Sequence, residues 1–151
     1  MLDFLKEEGV DPAVIEGIAA FRAEHPVPEE MARRVPEPRY RYYGREVWNQ
    51  AATVLLCGEN LLLAGPKATG KNVLAENLAW AFGRPCWDVS FHINMDASYL
   101  IGSDTFNGEK VVFQPGPIWQ CACHGGFGVL DEINMAKNEA LAVLHATLDL
   151  S

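Results

Sequence analysis

The stretch ENLLLAGPKATGKNVLAENLAWAFG, Glu59 to Gly83, constrains this chain more than any other. Leu61 to Ala64 form a short apolar run, Gly65 and Gly70 bracket a loop, and Lys71 opens a segment with Leu74, Leu78, Ala81 and Phe82 at helical spacing. Gly83, with Pro85 behind it, closes that segment. The pattern predicts a buried strand, a glycine loop and a helix. Two glycines allow successive backbone N–H groups to turn inward, and a helix N-terminus adds partial positive charge where phosphates would sit. Lys71 supplies a full charge for the outer phosphates. The eighth position of the G-x-x-x-x-G-K-[ST] pattern carries Asn72 in place of a hydroxyl, and Mg²⁺ is strict about its ligand geometry. The plainer reading of the same letters is a glycine turn that joins a strand to a helix.

Composition narrows the class. With 151 residues, 49% hydrophobic and 21% charged, the chain reads as one ordinary globular domain or part of one. A net charge of −8 disfavours non-specific binding to nucleic acid or anionic membrane. No signal peptide precedes the helix-like start at Met1 and no apolar run is long enough for a membrane span, so the expected location is cytoplasmic. Cys57, Cys86, Cys121 and Cys123 lack the paired C-x-x-C spacing of a zinc site. Cys121 and Cys123, two apart, would point to different sides of a helix, so the thiols read as reduced and structural, with a cluster including His124 as the other reading.

Leu2 to Lys6 and Pro12 to Arg22 are predicted as short helices, the second N-capped by Asp11, making residues 1–25 a helical N-terminal extension. Pro26, Pro28, Pro36 and Pro38 then interrupt regular structure, and residues 26–42 read as a linker arm rich in proline, arginine and tyrosine. Arg33, Arg34, Arg39, Arg41 and Arg45 interleave with Tyr40, Tyr42 and Tyr43. Such a pattern suits single-stranded nucleic acid, or an arm whose arginines pair with an acidic protein or a neighbouring subunit, the reading we favour. Tyr43 and Gly44 precede an amphipathic helix carrying Val47, Ala51, Val54 and Leu55, and could sit near the base of a nucleotide.

Beyond the central stretch, Cys86 to Ile93 reads as a strand with His92 inside it, more simply a structural histidine than a functional one. Asp96 to Leu100 reads as a helical turn. Asn107-Gly108 between Phe106 and Val111, Val112 and Phe113 signals a hairpin, and PIWQCACHGG a short helix. FGVLDEIN, Phe127 to Asn134, is an apolar strand ending in two carboxylates, a costly arrangement unless something there needs them. In a nucleotide site Asp131 would hold Mg²⁺ and Glu132 would orient or deprotonate the attacking water. Ala140, Leu141, Leu144 and Leu148 mark a last amphipathic helix.

From about Tyr43 onward the chain resembles the AAA+ ATPases, and within them the MoxR-type group of dynein-related AAA modules. The resemblance is carried by GPKATGKN at 65–72 as Walker A, VLDEIN at 129–134 as Walker B, and the intervening SFHINMDASYLIGSDTF with the hairpin GEKVVFQPGPI. It implies an α/β P-loop NTPase, a three-layer αβα parallel sheet of strand order 5-1-4-3-2. Residues 43–151 would supply its strands one to three and lack strands four and five, the arginine finger and the helical lid. The chain is therefore expected to be the N-terminal part of a longer ATPase and inactive alone. The resemblance implies ATP and Mg²⁺ as ligands, held by Gly65, Pro66, Lys67, Ala68, Thr69, Gly70, Lys71, Asn72 and Val73, with Tyr43 and Gly44 near the base. Asp131 and Asn72 would serve the metal, and Glu132 and Lys71 catalysis. It further implies a homo-hexameric ring, a hairpin associated with its pore, and a remodelled partner, often one with a von Willebrand factor A domain. Two alternatives stand beside hydrolysis: a nucleotide-gated scaffold, motivated by Asn72, and a nucleic-acid-associated motor using the arginine arm.

Overall fold

The computed structural model describes residues 2–148, the side chain of Ala146 aside. The expectation of a helical start at Met1 lies outside those residues. The chain divides into two compact units, residues 1–85 and 86–151.

The first unit is helical: α1 (Leu2–Glu7), α2 (Pro12–Glu24), α3 (Arg45–Leu56) and α4 (Lys71–Phe82). Asp11 caps α2 as its residue type predicts, its carboxylate accepting from Ala13 N at 2.8 Å, with Pro12 in the first turn. The apolar positions of all four helices converge on a core of Leu5, Ile18, Trp48, Leu78 and Phe82, each no more than 1% exposed. Gly17 lets α2 approach α3 closely, since a Cβ there would stand 2.8 Å from Leu56 Cδ1. The last turn of α4 is closed from two sides. Gly83 adopts the left-handed conformation at φ 64, and the Arg22 guanidinium donates to the carbonyls of Trp80 and Ala81 at 3.2 and 3.0 Å. A cation on the carbonyls of the last turn also complements the helix dipole.

The segment between α2 and α3 is more ordered than four prolines suggest. Residues Glu29–Arg34 form a 3-10 helix, entered after Pro28 and left before Pro36, so the prolines bound the element instead of breaking it. The arm that follows is fastened to α4. Asn77, fully buried, donates to Tyr40 O and Val73 O, both at 2.8 Å, and accepts from Tyr42 N at 3.4 Å. Arg41 stacks over the Trp80 ring, 3.8 Å from its centroid. Arg45 pairs with the exposed Glu46.

Leu61–Ala64, read from sequence as a strand, belongs to no ladder among the described residues, and Leu62 is 82% exposed. The expected 5-1-4-3-2 order is consistent with this. The neighbours of this strand would be the fourth and fifth, and an extended segment without a partner for its N–H and C=O groups is not a strand.

The second unit carries two two-stranded sheets in place of one continuous one. β1 (Cys86–Ser90) pairs in parallel with β4 (Phe127–Asp131), Cys86 opposite Phe127 and Ser90 opposite Asp131. This is the 3-2 neighbour pair of the expected order. β1 stops three residues short of the predicted Ile93. Val89, Phe91, Met95, Leu100, Ile118, Ala140 and Leu144 form the core of the unit, drawn from β1, the segment that follows it, α5 (Ala97–Ile101), α6 (Pro117–His124) and α7 (Asn138–Leu148). Asp96 caps α5. The Ser98 hydroxyl and the Tyr99 N–H both donate to its carboxylate, which holds its pKa below the ordinary value.

The predicted hairpin is present as β2 (Gly102–Phe106) and β3 (Val111–Pro115), antiparallel, with Asn107 Oδ1 accepting from Glu109 N and Lys110 N across the loop. Phe106, Val111 and Phe113 share one face, with exposures of 68%, 65% and 44%, and Phe113 meets Trp119 edge-on. Two glycines fix its base. A Cβ on Gly116 would lie 2.4 Å from Leu100 O, and one on Gly102, at φ 126, would lie 2.5 Å from Gln114 O. Backbone atoms cannot yield as a side-chain tip can. Gly116→Ala is therefore expected to lower stability by about 1–3 kcal/mol in denaturant unfolding. Gly128→Ala, whose methyl would meet only Cys121 Sγ at 3.5 Å, is expected to stay within about 1 kcal/mol of wild type.

Candidate nucleotide site

Two sets of sequence-predicted residues have local geometry suited to phosphate chemistry, one in each unit. In the first, the loop from Gly65 to Gly70 turns through three positive φ values: Gly65 at 157, Ala68 at 61 and Gly70 at 82. Ala68 is the telling one, since alanine adopts the left-handed region only where its surroundings hold it there. The Thr69 hydroxyl donates to Pro66 O at 2.9 Å across the turn. Lys71 folds its ammonium over the same loop, Nζ donating to Gly65 O at 3.1 Å and Pro66 O at 2.7 Å. α4 begins immediately after the left-handed Gly70, and no side chain caps it. An uncapped helix start with a lysine ammonium over the same loop is an arrangement that favours an anion.

An open cleft of about 380 Å³ adjoins this loop, lined by the 61–66 segment with Tyr42, Val47, Gln50, Lys71 and Leu74. Of the two residues expected near a base, Tyr43 is 71% exposed and rests edge-on against Phe4, and Gly44 donates its N–H to Glu8 Oε1 at 2.7 Å. Tyr42, not Tyr43 or Gly44, lines the cleft. Sequence reasoning placed Tyr42 only in the arginine–tyrosine arm and passed over Gln50 and Asn77. The signal available was Asn77 itself, an amide between Leu74 and Leu78 on an apolar helix face, which must find partners when buried.

In the second unit β4 delivers Asp131 and Glu132 at its C-terminal tip. Asp131 Oδ1 accepts from Glu132 N at 2.9 Å, and Glu132 sits in the left-handed region at φ 52, ψ 38, before the 3-10 turn Ile133–Met135. A β-strand continued through Glu132 would direct its side chain opposite to that of Asp131. The left-handed turn breaks that alternation. Asp131 is half-buried and Glu132 exposed. His92, outside β1, accepts from Asn94 N through Nδ1 at 3.3 Å and lies exposed. Cys121 donates its thiol to Gly126 O at 3.3 Å, and burial raises its pKa, so it stays a protonated structural thiol at neutral pH.

A family model for the AAA domain of the dynein-related subfamily matches residues 60–151, spanning the phosphate loop and the carboxylate pair together. The chain belongs to that family. Membership carries the P-loop NTPase fold, of which the β1–β4 pair and the loop before α4 are parts. Among similar proteins are the uncharacterized protein YojN of Bacillus subtilis, 33% identical over 130 residues, which cover 83% of this chain and 43% of YojN. The uncharacterized protein SSP1341 of Staphylococcus saprophyticus is 37% identical over 108 residues, 68% of this chain and 41% of that protein. The AAA chain described here thus spans less than half the length of the curated relatives it matches. No helix among its described residues is long and apolar enough to cross a membrane.

The donor chemistry of both sets fits the ligands the AAA family implies. The loop presents amides and an ammonium to phosphate. Asp131 and the exposed Asn72, in the first turn of α4, present hard oxygen donors of the kind Mg²⁺ takes.

Proposed function

We propose that the full-length protein binds ATP and hydrolyses it in a Mg²⁺-dependent reaction, as a MoxR-type AAA+ ATPase that remodels or activates a partner protein. The observation that carries this reading is the loop itself: a left-handed Ala68 and Gly70, an uncapped helix start and a lysine folded over the turn. A strand-to-helix connection without a ligand needs none of these. Gly65 to Val73 would hold the triphosphate, with the Lys71 ammonium stabilising charge that develops on the outer phosphate oxygens. Asp131 and Asn72 would hold Mg²⁺, which when bound neutralises phosphate charge. Glu132 would take the proton of the attacking water as the water adds in line to the γ-phosphorus and the bond to the ADP oxygen breaks.

The exposed Phe106, Val111 and Phe113 face supports a partner-binding role for the hairpin, because an apolar patch of this kind is a usual protein contact. A homo-hexameric ring and a partner with a von Willebrand factor A domain complete the proposal by resemblance to the MoxR-type group, with a cytoplasmic location. The arm does not favour nucleic acid: Arg41 is spent on Trp80, and the net charge is −8.

A second reading, a nucleotide-gated scaffold with little turnover, is favoured by one residue, Asn72. Phosphate release by full-length wild type and Asn72→Thr, with and without Mg²⁺, separates the two. Hydrolysis by wild type with at most a few-fold gain in Asn72→Thr is the expected result. Negligible wild-type turnover with a gain of about a hundredfold on restoring the hydroxyl would move the assignment to the scaffold.

A further inference from the structure

We propose that the N-terminal extension regulates the nucleotide site by clasping residues 41–44, with Glu8 as a positioning residue for the phosphate loop's neighbouring strap. The inference rests on the nucleotide-binding reading above and adds a means of control to it. The AAA match begins at residue 60, so the extension lies wholly outside it. Phe4 and Glu8 stand one helical turn apart, the Glu8 N–H donating to Phe4 O at 2.9 Å, and both side chains reach the same strap. The half-buried Glu8 accepts from Gly44 N through Oε1 at 2.7 Å, a charge-assisted bond of the stronger kind. The Phe4 ring meets Tyr43 edge-on at 5.6 Å. It also lies 5.9 Å from the Arg41 guanidinium, which is itself stacked on Trp80 of α4.

The strap in turn adjoins the phosphate loop. The Tyr42 N–H donates to Asn77 Oδ1 of α4 at 3.4 Å and its carbonyl accepts from Trp48 Nε1 of α3 at 2.9 Å, both partners fully buried. Its ring therefore stands 3.5 Å from where a Cβ on Gly70 would be, beside the residue that opens α4. Two residues on, Gly44 turns the strap into α3 at φ 146, and no side chain caps that helix. Asn77 and Trp48 thus hold the Tyr42 end, while Glu8 holds the turn. Releasing Gly44 frees the turn and loosens the Tyr42 wall of the cleft; by reciprocity, an occupied site tightens the clasp. A second tie supplies the comparison. Asp11 N donates to Asn49 Oδ1 of α3 at 2.9 Å, joining the extension to the same helix through a bond that engages no strap residue.

The test uses the full-length protein, binding of fluorescent N-methylanthraniloyl-labelled ATP, amide hydrogen exchange and thermal melts. Glu8→Ala is expected to weaken nucleotide binding about tenfold and to speed exchange in residues 41–44 more than in α2. Glu8→Gln, which keeps an acceptor oxygen at the same reach, is expected to bind within about threefold of wild type. Asn49→Ala is expected to bind as wild type, which separates the clasp from a general loss of stability. In wild type, nucleotide is expected to slow exchange at residues 41–44. Wild-type affinity in a folded Glu8→Ala, or equal weakening in Asn49→Ala, would overturn the clasp and leave the phosphate loop standing. So would exchange at residues 41–44 of wild type that ignores bound nucleotide, a result that does not depend on whether Glu8→Ala folds. Binding of no nucleotide by wild type would overturn the nucleotide reading and the clasp together.

Discussion

Full-length protein carrying Glu132→Gln is expected to retain ATP and to lose turnover by about 10²–10⁴-fold. The substitution changes one oxygen to an amide nitrogen, keeping volume and shape while removing the basic lone pair that would take a proton from water. Nothing in the fold depends on that side chain. Glu132 is exposed, and its hydrogen bonds among the described residues are main-chain ones: its N–H donates to Asp131 Oδ1 and its carbonyl accepts from Met135 N at 2.8 Å. Binding and stability should therefore be untouched, which separates a lost base from a lost fold. The left-handed backbone at this position gives the expectation its weight, because a non-glycine residue in that region costs about 1–3 kcal/mol and persists only where its surroundings impose it. Turnover unchanged in Glu132→Gln would remove the role assigned to it.

That backbone feature could not be seen in the letters, and it marks the boundary of what sequence supplied. Periodicity and punctuation placed most elements: Asp11-Pro12 the start of α2, Asn107-Gly108 the hairpin, and Gly125 the end of α6 in its left-handed cap. These signals are local, and local structure obeys them. Leu61–Ala64 failed as a strand because a strand exists only with a neighbour, and apolar composition does not supply one. The 26–42 arm was misjudged as irregular because its order comes from distant residues. Asn77 lies thirty-five positions beyond Tyr42, and Trp80 thirty-nine beyond Arg41. The candidate site divides along the same line. Lys71, Asp131 and Glu132 are proposed because phosphate chemistry favours those residue types at fixed offsets, whereas Tyr42 and Gln50 reach the cleft through tertiary packing and carry no motif.

The second large effect concerns Lys71. Its ammonium donates to two loop carbonyls at 3.1 and 2.7 Å. Truncation to alanine removes the full positive charge bound over the turn by those two hydrogen bonds, while Thr69 Oγ1 still ties Pro66 O and the exposed carbonyls can turn to water. The loop should therefore keep its course and lose its anion. Two charge-assisted hydrogen bonds to phosphate oxygens correspond to a fall in affinity of about hundredfold or more.

The most direct test is calorimetric titration of the full-length protein with ATP and Mg²⁺, wild type beside Lys71→Ala. A saturable heat in wild type that vanishes in Lys71→Ala is the predicted result. No heat in wild type, or equal heats in the two proteins, would contradict it and end the assignment of this loop to a triphosphate.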